Sequence, residues 1–461
     1  MKKDWKRYII IICSLFVIYN HSFAKISLGP YLQSPTPNSI NILFWTDTLS
    51  KPIIKIGKHP LQWEKQYKTV ANSFVFNIML TNLHENTTYY YGIYLNNQLV
   101  AGGDTLHHFN TFPKTGQSTN FRIWALGDFG KATEEQRNAK IAFENYNRNY
   151  PSAFWLWLGD NAYHSGTMEE FRTKVFSRHY GYDSIMRCLP FLPTPGNHDY
   201  LSLLHYGGNK ESIGAYYSLV NVYQKGEAGG VPSGTEKYYS FNYGQVHFVS
   251  LNSECWSYSV WGNMRMKKWL EKDLQANQQL FTVVYFHQPP YSKGSHDSDS
   301  FWELFMKAMR KRINPILEEN GVDLVVCGHS HVYERSFLIK GHYGKSTSFN
   351  PKKMIISDSY GDVSKGDMPY VKFTNGKNAE MGTIYVTCGT GGRPDSEVEF
   401  GHPVMAIEQA GKGSEGSLII EFEQNKLIGK YLKGDGTFGD QLTLIKYIKT
   451  GKQKKKKVAE K

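Results

Sequence analysis

Four short runs, 121–126, 153–158, 281–286 and 322–327, are largely apolar, and each is followed at once by a side chain that can bind a metal. Those side chains are Asp128, Asp160, His287 and His329, three of them standing directly behind a glycine. The runs have the length and the β-branched or aromatic content of buried strands. Between the first two lies a helical pattern, with Ala139, Ala142, Phe143 and Tyr146 on one face and a capping box from Thr133 to Gln136 at its start. Strand, helix, strand implies parallel pairing, and in such sheets ligands gather at the carboxyl ends of the strands. A fifth segment, Gly196-Asn197-His198-Asp199, repeats the arrangement. The chain is predicted to be α/β, with the glycines letting the backbone turn sharply and approach a metal centre.

The side chains define the chemistry. Asp128, Asp160, Tyr163, Asn197, His287, His329 and His331 offer two carboxylates, a phenol, an amide oxygen and three imidazoles. Such a mixed N/O set suits iron, zinc or manganese better than calcium, and without thiolates it does not suggest a structural zinc knot. Asp160 is the natural bridging carboxylate for two ions about 3.5–4 Å apart, and His329 and His331 can reach one ion each. Tyr163 binds as phenolate only beside a strongly Lewis-acidic ion, since a free phenol has a pKa near 10. One Gly-Asp alone would mark an ordinary turn; five segments in series do not reduce to that.

Asp128, Gly159-Asp160-x-x-Tyr163, Gly196-Asn197-His198, His287 and the Gly-His-Ser-His-Val-Tyr-Glu-Arg stretch at 328–335 resemble the motif series of the purple acid phosphatases, within the calcineurin-like metallophosphoesterases. The resemblance implies a four-layer α/β/β/α sandwich. It places Asp128, Asp160, Tyr163 and His331 on a first metal, Fe(III), and Asp160, Asn197, His287 and His329 on a second, Fe, Zn or Mn(II). His198 would face the substrate phosphate, with Asp199 orienting it, and His296 would give a proton to the leaving group. A metal-held hydroxide would then attack phosphorus in line, with no covalent phospho-enzyme. Two departures stand out: Asp199 replaces a frequent glutamate, and Ser295-His296 replaces a histidine pair. For His296 the plain alternative is a solvated loop histidine.

With 461 residues, of which 40% are hydrophobic and 15% aromatic, the chain can bury cores for two or three units. Residues 1–24 read as a secretory signal, with a basic start, an apolar run at 9–19 and Ser22-Phe23-Ala24 as the cleavage site. Export to a periplasmic, secreted or cell-surface location is therefore expected, with no membrane span left after removal. Cys13 lacks the small residue before it that a lipidation site needs. Formal charge is +12, but the start of the signal carries +3 and Lys452 to Lys461 carry +5, which leaves +4 for the rest. Nothing in the spacing supports a nucleic-acid-binding module. The basic tail, 447–461, reads as a solvated end, with contact to anionic polymers or lipids as the alternative. Of Cys188, Cys255, Cys327 and Cys388, the last two sit in apolar runs and read as core residues; the sequence cannot pair them.

Residues 25–113 show short alternating segments and resemble the fibronectin type III-like domain that precedes the catalytic domain in many purple acid phosphatases. Trp45 is expected in its core and Tyr89 or Tyr91 at a tyrosine corner, with a carbohydrate-binding aromatic face as the alternative. Residues 114–119 form a linker and 120–446 the catalytic domain. Within the latter, 238–251 reads as a hairpin near the second sheet with His247 packed in it, 266–274 as an amphipathic helix, 382–392 as a strand with a glycine-rich end, and 417–445 as strands that close the second sheet. The expected function is hydrolysis of phosphate monoesters. The alternatives are a diesterase acting on nucleotides or phospholipid head groups, a non-catalytic binding protein, and an adhesive surface module. Oligomeric state is not readable.

Overall fold

Alternation in residues 26–110 produces paired strands with one apolar face each. The computed structural model describes residues 24–200, 215–254, 260–374 and 382–448; residues 1–23 of the expected signal, Cys255 and most of the basic tail lie outside them. The described residues before 111 form β1 (Ile26–Gln33), β2 (Ile40–Ser50), β3 (Ile53–Gly57), β4 (Lys65–Lys68), β5 (Ser73–Leu80), β6 (Thr88–Leu95), β7 (Gln98–Gly102) and β8 (His108–Asn110). They make two antiparallel sheets, β1-β2-β5 and β4-β3-β6-β7, with β8 on β6. Leu32, Ile40, Ile42, Phe44, Ile54, Ile56, Tyr89 and Tyr91 share the core between them.

Trp45 is not in that core. Side chains of a strand alternate between faces, and Phe44 takes the inner position on β2 while Leu43 and Trp45 turn outward to pack on the core of the following unit, with Arg172 over the Trp45 ring at 5.3 Å. Of the two tyrosines, Tyr89 makes the corner, its hydroxyl accepting from the His84 N–H at 3.1 Å; Tyr91 instead donates to the Arg187 carbonyl at 2.8 Å across the junction.

The remaining strands are β9 (Phe121–Leu126), β10 (Trp155–Leu158), β11 (Phe191–Thr194), β12 (Tyr239–Tyr243), β13 (Val246–Ser250), β14 (Phe281–Tyr285), β15 (Leu324–Cys327), β16 (Tyr333–Ser336), β17 (Tyr370–Thr374), β18 (Ile384–Cys388), β19 (Met405–Gln409), β20 (Gly416–Glu423), β21 (Lys426–Lys433) and β22 (Phe438–Ile448). One sheet runs β11-β10-β9-β20-β21-β22-β17 and the other β12-β13-β14-β15-β18-β16-β19. The two pack face to face, with Phe248 and Phe281 of the second against Phe422 of the first. Helix Glu134–Asn147 covers the first sheet, its Phe143 stacked on Trp124 at 3.8 Å, and helix Val260–Ala276 covers the second through Met266 and Leu270.

Strands β20, β21 and β22 do not close the sheet that holds the β12–β13 hairpin. β20 pairs antiparallel with β9, so they extend the first sheet and bury its central strand on both edges. Only half of the capping box forms. Thr133 accepts from the Gln136 N–H, whereas the Gln136 side-chain oxygen Oε1 accepts from the backbone N–H groups of Lys131 and Ala132, tying the helix start to the loop behind Asp128. His247 packs in β13, hydrogen-bonded to Asp273 and Asn242. Cys188, Cys327 and Cys388 are free thiols, the last two buried. Among the described residues no helix is long and apolar enough to cross a membrane.

Candidate metal centre

At the carboxyl ends of β9, β10 and β15 the chain turns through a non-glycine residue in the left-handed region: Asp128 at φ 59°, Asp160 at φ 50° and His329 at φ 71°. Each such residue costs roughly 1–2 kcal/mol. Strain of this kind persists where the surroundings over-determine it, and it clusters at functional sites. Of the two uses the sequence suggests for the preceding glycines, close approach accounts for more of them than a sharp turn does. Of Gly127, Gly159, Gly196 and Gly328, only Gly159 has a positive φ. What they share is closeness: a Cβ would stand 2.5 Å from His287 Nδ1 at Gly159, 2.2 Å from the Asp160 nitrogen at Gly196, and 2.5 Å from Asp128 Oδ2 at Gly328.

The seven sequence-predicted ligands come together in two sets that share Asp160. In the first, the Tyr163 oxygen lies 2.9 Å from Asp128 Oδ1, 3.0 Å from Asp160 Oδ2 and 3.2 Å from His331 Nε2. One hydroxyl hydrogen cannot serve three acceptors. In the second, His287 Nε2 lies 3.2 Å from Asp160 Oδ1, 3.1 Å from Asn197 Oδ1 and 3.2 Å from His329 Nδ1. Since His287 donates its Nδ1–H to the Leu158 carbonyl at 3.0 Å, Nε2 presents a lone pair to this group of acceptors. Spacings near 3 Å are the edges of a coordination shell with bonds of about 2.0–2.2 Å. Both sets therefore fit a cation.

Protonation says the same. Burial, Asp128 and Asp160 push the Tyr163 phenol well above its ordinary range. Burial would lower His287, but Asp160 outweighs it and pushes the imidazole up to about 10. Without a metal the second set is satisfied only by protonating that ring. Asp128 is raised by burial, whereas Asp160, also buried, is held well below the usual carboxylate range by His287 and His198. Of these two carboxylates, the one common to both sets is thus the one held in its charged form.

His198 sits at the rim with its ring 4.5 Å from that of Tyr163 and its Nδ1 2.6 Å from the His164 carbonyl. The Asp199 carboxylate is not on that ring. It accepts from the Gly196 and Asn161 N–H groups and from the Asn161 amide, so it braces the loops that carry Asn197 and Asp160. His296 does reach the site: its Nδ1 is 2.7 Å from Glu303 and its ring 3.9 Å from His329. Three neighbours are ones that sequence reasoning missed. Asp395 lies 3.2 Å from His331 Nδ1, Glu303 Oε2 lies 3.7 Å from His329 Nε2, and the Lys131 ammonium sits 3.3 Å from His331 and 4.3 Å from the Tyr163 ring. Lys131 alone carried a signal, being three residues from Asp128. Each of the three ring systems thus turns one nitrogen inward and the other toward an oxygen, the arrangement that fixes metal-binding imidazoles.

The sequence pattern of the calcineurin-like phosphoesterase family matches residues 121–333. Purple acid phosphatase 15 of Arabidopsis thaliana is 25% identical over 342 residues, 68% of this chain and 60% of that protein. A purple acid phosphatase of Glycine max is 24% identical over 313 residues, 65% of this chain and 60% of its own length. The chain thus spans less than two thirds of these relatives. Among solved structures, purple acid phosphatase PPD1 from yellow lupin seeds superposes with a TM-score of 0.66 at 19% identity, covering 90% of this chain and 74% of that one. PhoD gives 0.62 at 14% identity, covering 89% and 87%. Both likenesses show the fold.

Proposed function

We propose that this chain, whose residues 121–333 match the calcineurin-like phosphoesterase pattern, is an exported acid phosphatase of the purple type that hydrolyses phosphate monoesters at two metal ions. The observation that carries the reading is Asp160, whose Oδ2 meets the Tyr163 set and whose Oδ1 meets the His287 set. Asp128, Asp160, Tyr163 and His331 would hold Fe(III), and Asp160, Asn197, His287 and His329 an Fe, Zn or Mn(II) ion. When bound, such ions supply Lewis acidity and bring the pKa of a water down to about 7 or below.

The protein's own groups supply the rest. His198 gives Nδ1–H to the His164 carbonyl, which fixes its ring and leaves Nε2, 3.8 Å from Asp160 Oδ2, to meet a phosphate oxygen. His296, with Nδ1 on Glu303, likewise has Nε2 free to protonate a departing alkoxide. Asp199 holds the two ligand loops in register. Residues 1–24 act as a cleaved leader, 25–113 as the β unit, 114–119 as the linker and 120–446 as the catalytic domain.

The test compares p-nitrophenyl phosphate with its bis-ester, alongside elemental analysis. Two metals per chain with faster monoester hydrolysis is the expected result. Preference for the bis-ester would make the chain a diesterase, and no turnover of either by the metal-loaded protein would sink the enzymatic reading.

A further inference from the structure

Glu303 comes from a loop that carries no family motif, yet its carboxylate stands between two residues of the site. Oε1 is 2.7 Å from His296 Nδ1, and Oε2 is 3.7 Å from His329 Nε2, a buried nitrogen with no closer partner. The rings of His296 and His329 lie 3.9 Å apart, tilted by 31°. His329 turns its other nitrogen, Nδ1, to the second metal set.

The loop is built to hold this position. Arg310, fully buried, donates from Nη2 to Asp299 at 3.0 Å and from Nη1 to Ser298 and the Pro290 carbonyl, both at 3.1 Å. The Ser300 N–H reaches the Asp297 carbonyl, and the Glu303 N–H reaches that of Ser300. Glu303 then leads directly into helix Leu304–Ala308. Its side chain, 19% exposed, has few other places to go.

We infer that Glu303 is a positioning residue that ties the proton-donating histidine, His296, to the second-metal ligand His329, an inference resting on the proposed role of His296. One carboxylate oxygen sets the rotation of the His296 ring, so that its Nε2 points at the leaving group. The other is the negative charge that faces the outer nitrogen of His329 from 3.7 Å, favouring the ring orientation with Nδ1 toward the second set. Losing such an outer partner weakens metal binding by about 10–100-fold. The same loss leaves His296 to rotate freely.

The experiment uses Glu303→Ala and the isosteric Glu303→Gln in the full chain, with thermal melts to verify folding. Zinc titration of the second site reads the His329 arm. The ratio of kcat/KM for β-glycerophosphate to that for p-nitrophenyl phosphate reads the His296 arm, with His296→Ala as the reference. Expected are zinc affinity reduced by about 10-fold or more in Glu303→Ala, and a ratio shifted in the same direction as in His296→Ala. Glu303→Gln, which keeps an acceptor for His296, should shift the ratio less than it weakens zinc. Unchanged zinc affinity, or equal loss on both substrates while His296→Ala is selective, would overturn the inference. If His296→Ala is itself unselective, the donor reading fails, and the proposed tie to a working donor falls with it.

Discussion

The phenolic oxygen of Tyr163 lies 3.0 Å from Oδ2 of Asp160, three residues earlier in the chain, and 2.9 Å from Asp128. A phenol placed between two carboxylates has one hydrogen for two acceptors, and burial keeps it from ionising. A trivalent ion at this point would resolve the conflict by taking the phenolate. Protein carrying iron should then show a broad visible charge-transfer band, and Tyr163→Phe should bleach or strongly shift it. An intact band in the variant would remove Tyr163 from the ligand set.

Replacement of Asp160 by Asn should cost more activity than the same change at Asp128 or Asp199, since only Asp160 faces both donor sets. Both ions should be depleted, as measured by elemental analysis. Full occupancy with near-normal turnover would refute the bridging role.

His198→Ala should slow activated aryl esters and alkyl phosphates by similar factors. His296→Ala should slow alkyl phosphates far more, by on the order of 10²–10⁴, because only a basic leaving oxygen needs the proton. Steady-state kinetics on both substrates decide between them, and equal losses on the two substrates in His296→Ala, or no loss on either, would refute the proton-donor role.

At Gly159 an added Cβ meets the His287 ring at 2.5 Å with the backbone at φ 90°. Gly159→Ala should therefore lose about 2 kcal/mol or more of stability and empty the second metal set before the first. Melting curves and metal content measure the two effects. A variant as stable and as fully loaded as the parent would show that the site can yield at this point.

His402 is buried, only 2% exposed, and burial holds its imidazole down from 6.5 to about 3. As pH falls below 6.5 the unfolded chain takes up a proton here that the folded chain refuses. Stability should drop through that window by up to about 1.4 kcal/mol per pH unit from this group, down to about pH 3. His402→Gln should flatten the acid limb of the melting temperature against pH. A limb of unchanged slope would mean that other groups set it.

Strand positions, and the side chains that gather just past the strand ends, were legible in the sequence because both are local. The apolar run 121–126 became β9 residue for residue, and Asp128 stands just past its end. Period-two alternation placed a strand at β2 but did not say which face met which core, and so Trp45 went to the junction and Phe44 inside. Strands β20, β21 and β22 were expected in the second sheet and lie in the first, since pairing β20 with β9 joins residues nearly three hundred positions apart. The partners of the ligands are of the same kind: Glu303 behind His329, Asp395 behind His331, Asp199 bracing Asn161. Their residue types carry no periodicity, and their positions are set by contacts such as that of Arg310 with Asp299, made only once the chain has folded. Local composition fixes which atoms can bind a metal. Long-range packing decides which nitrogen of each histidine faces it.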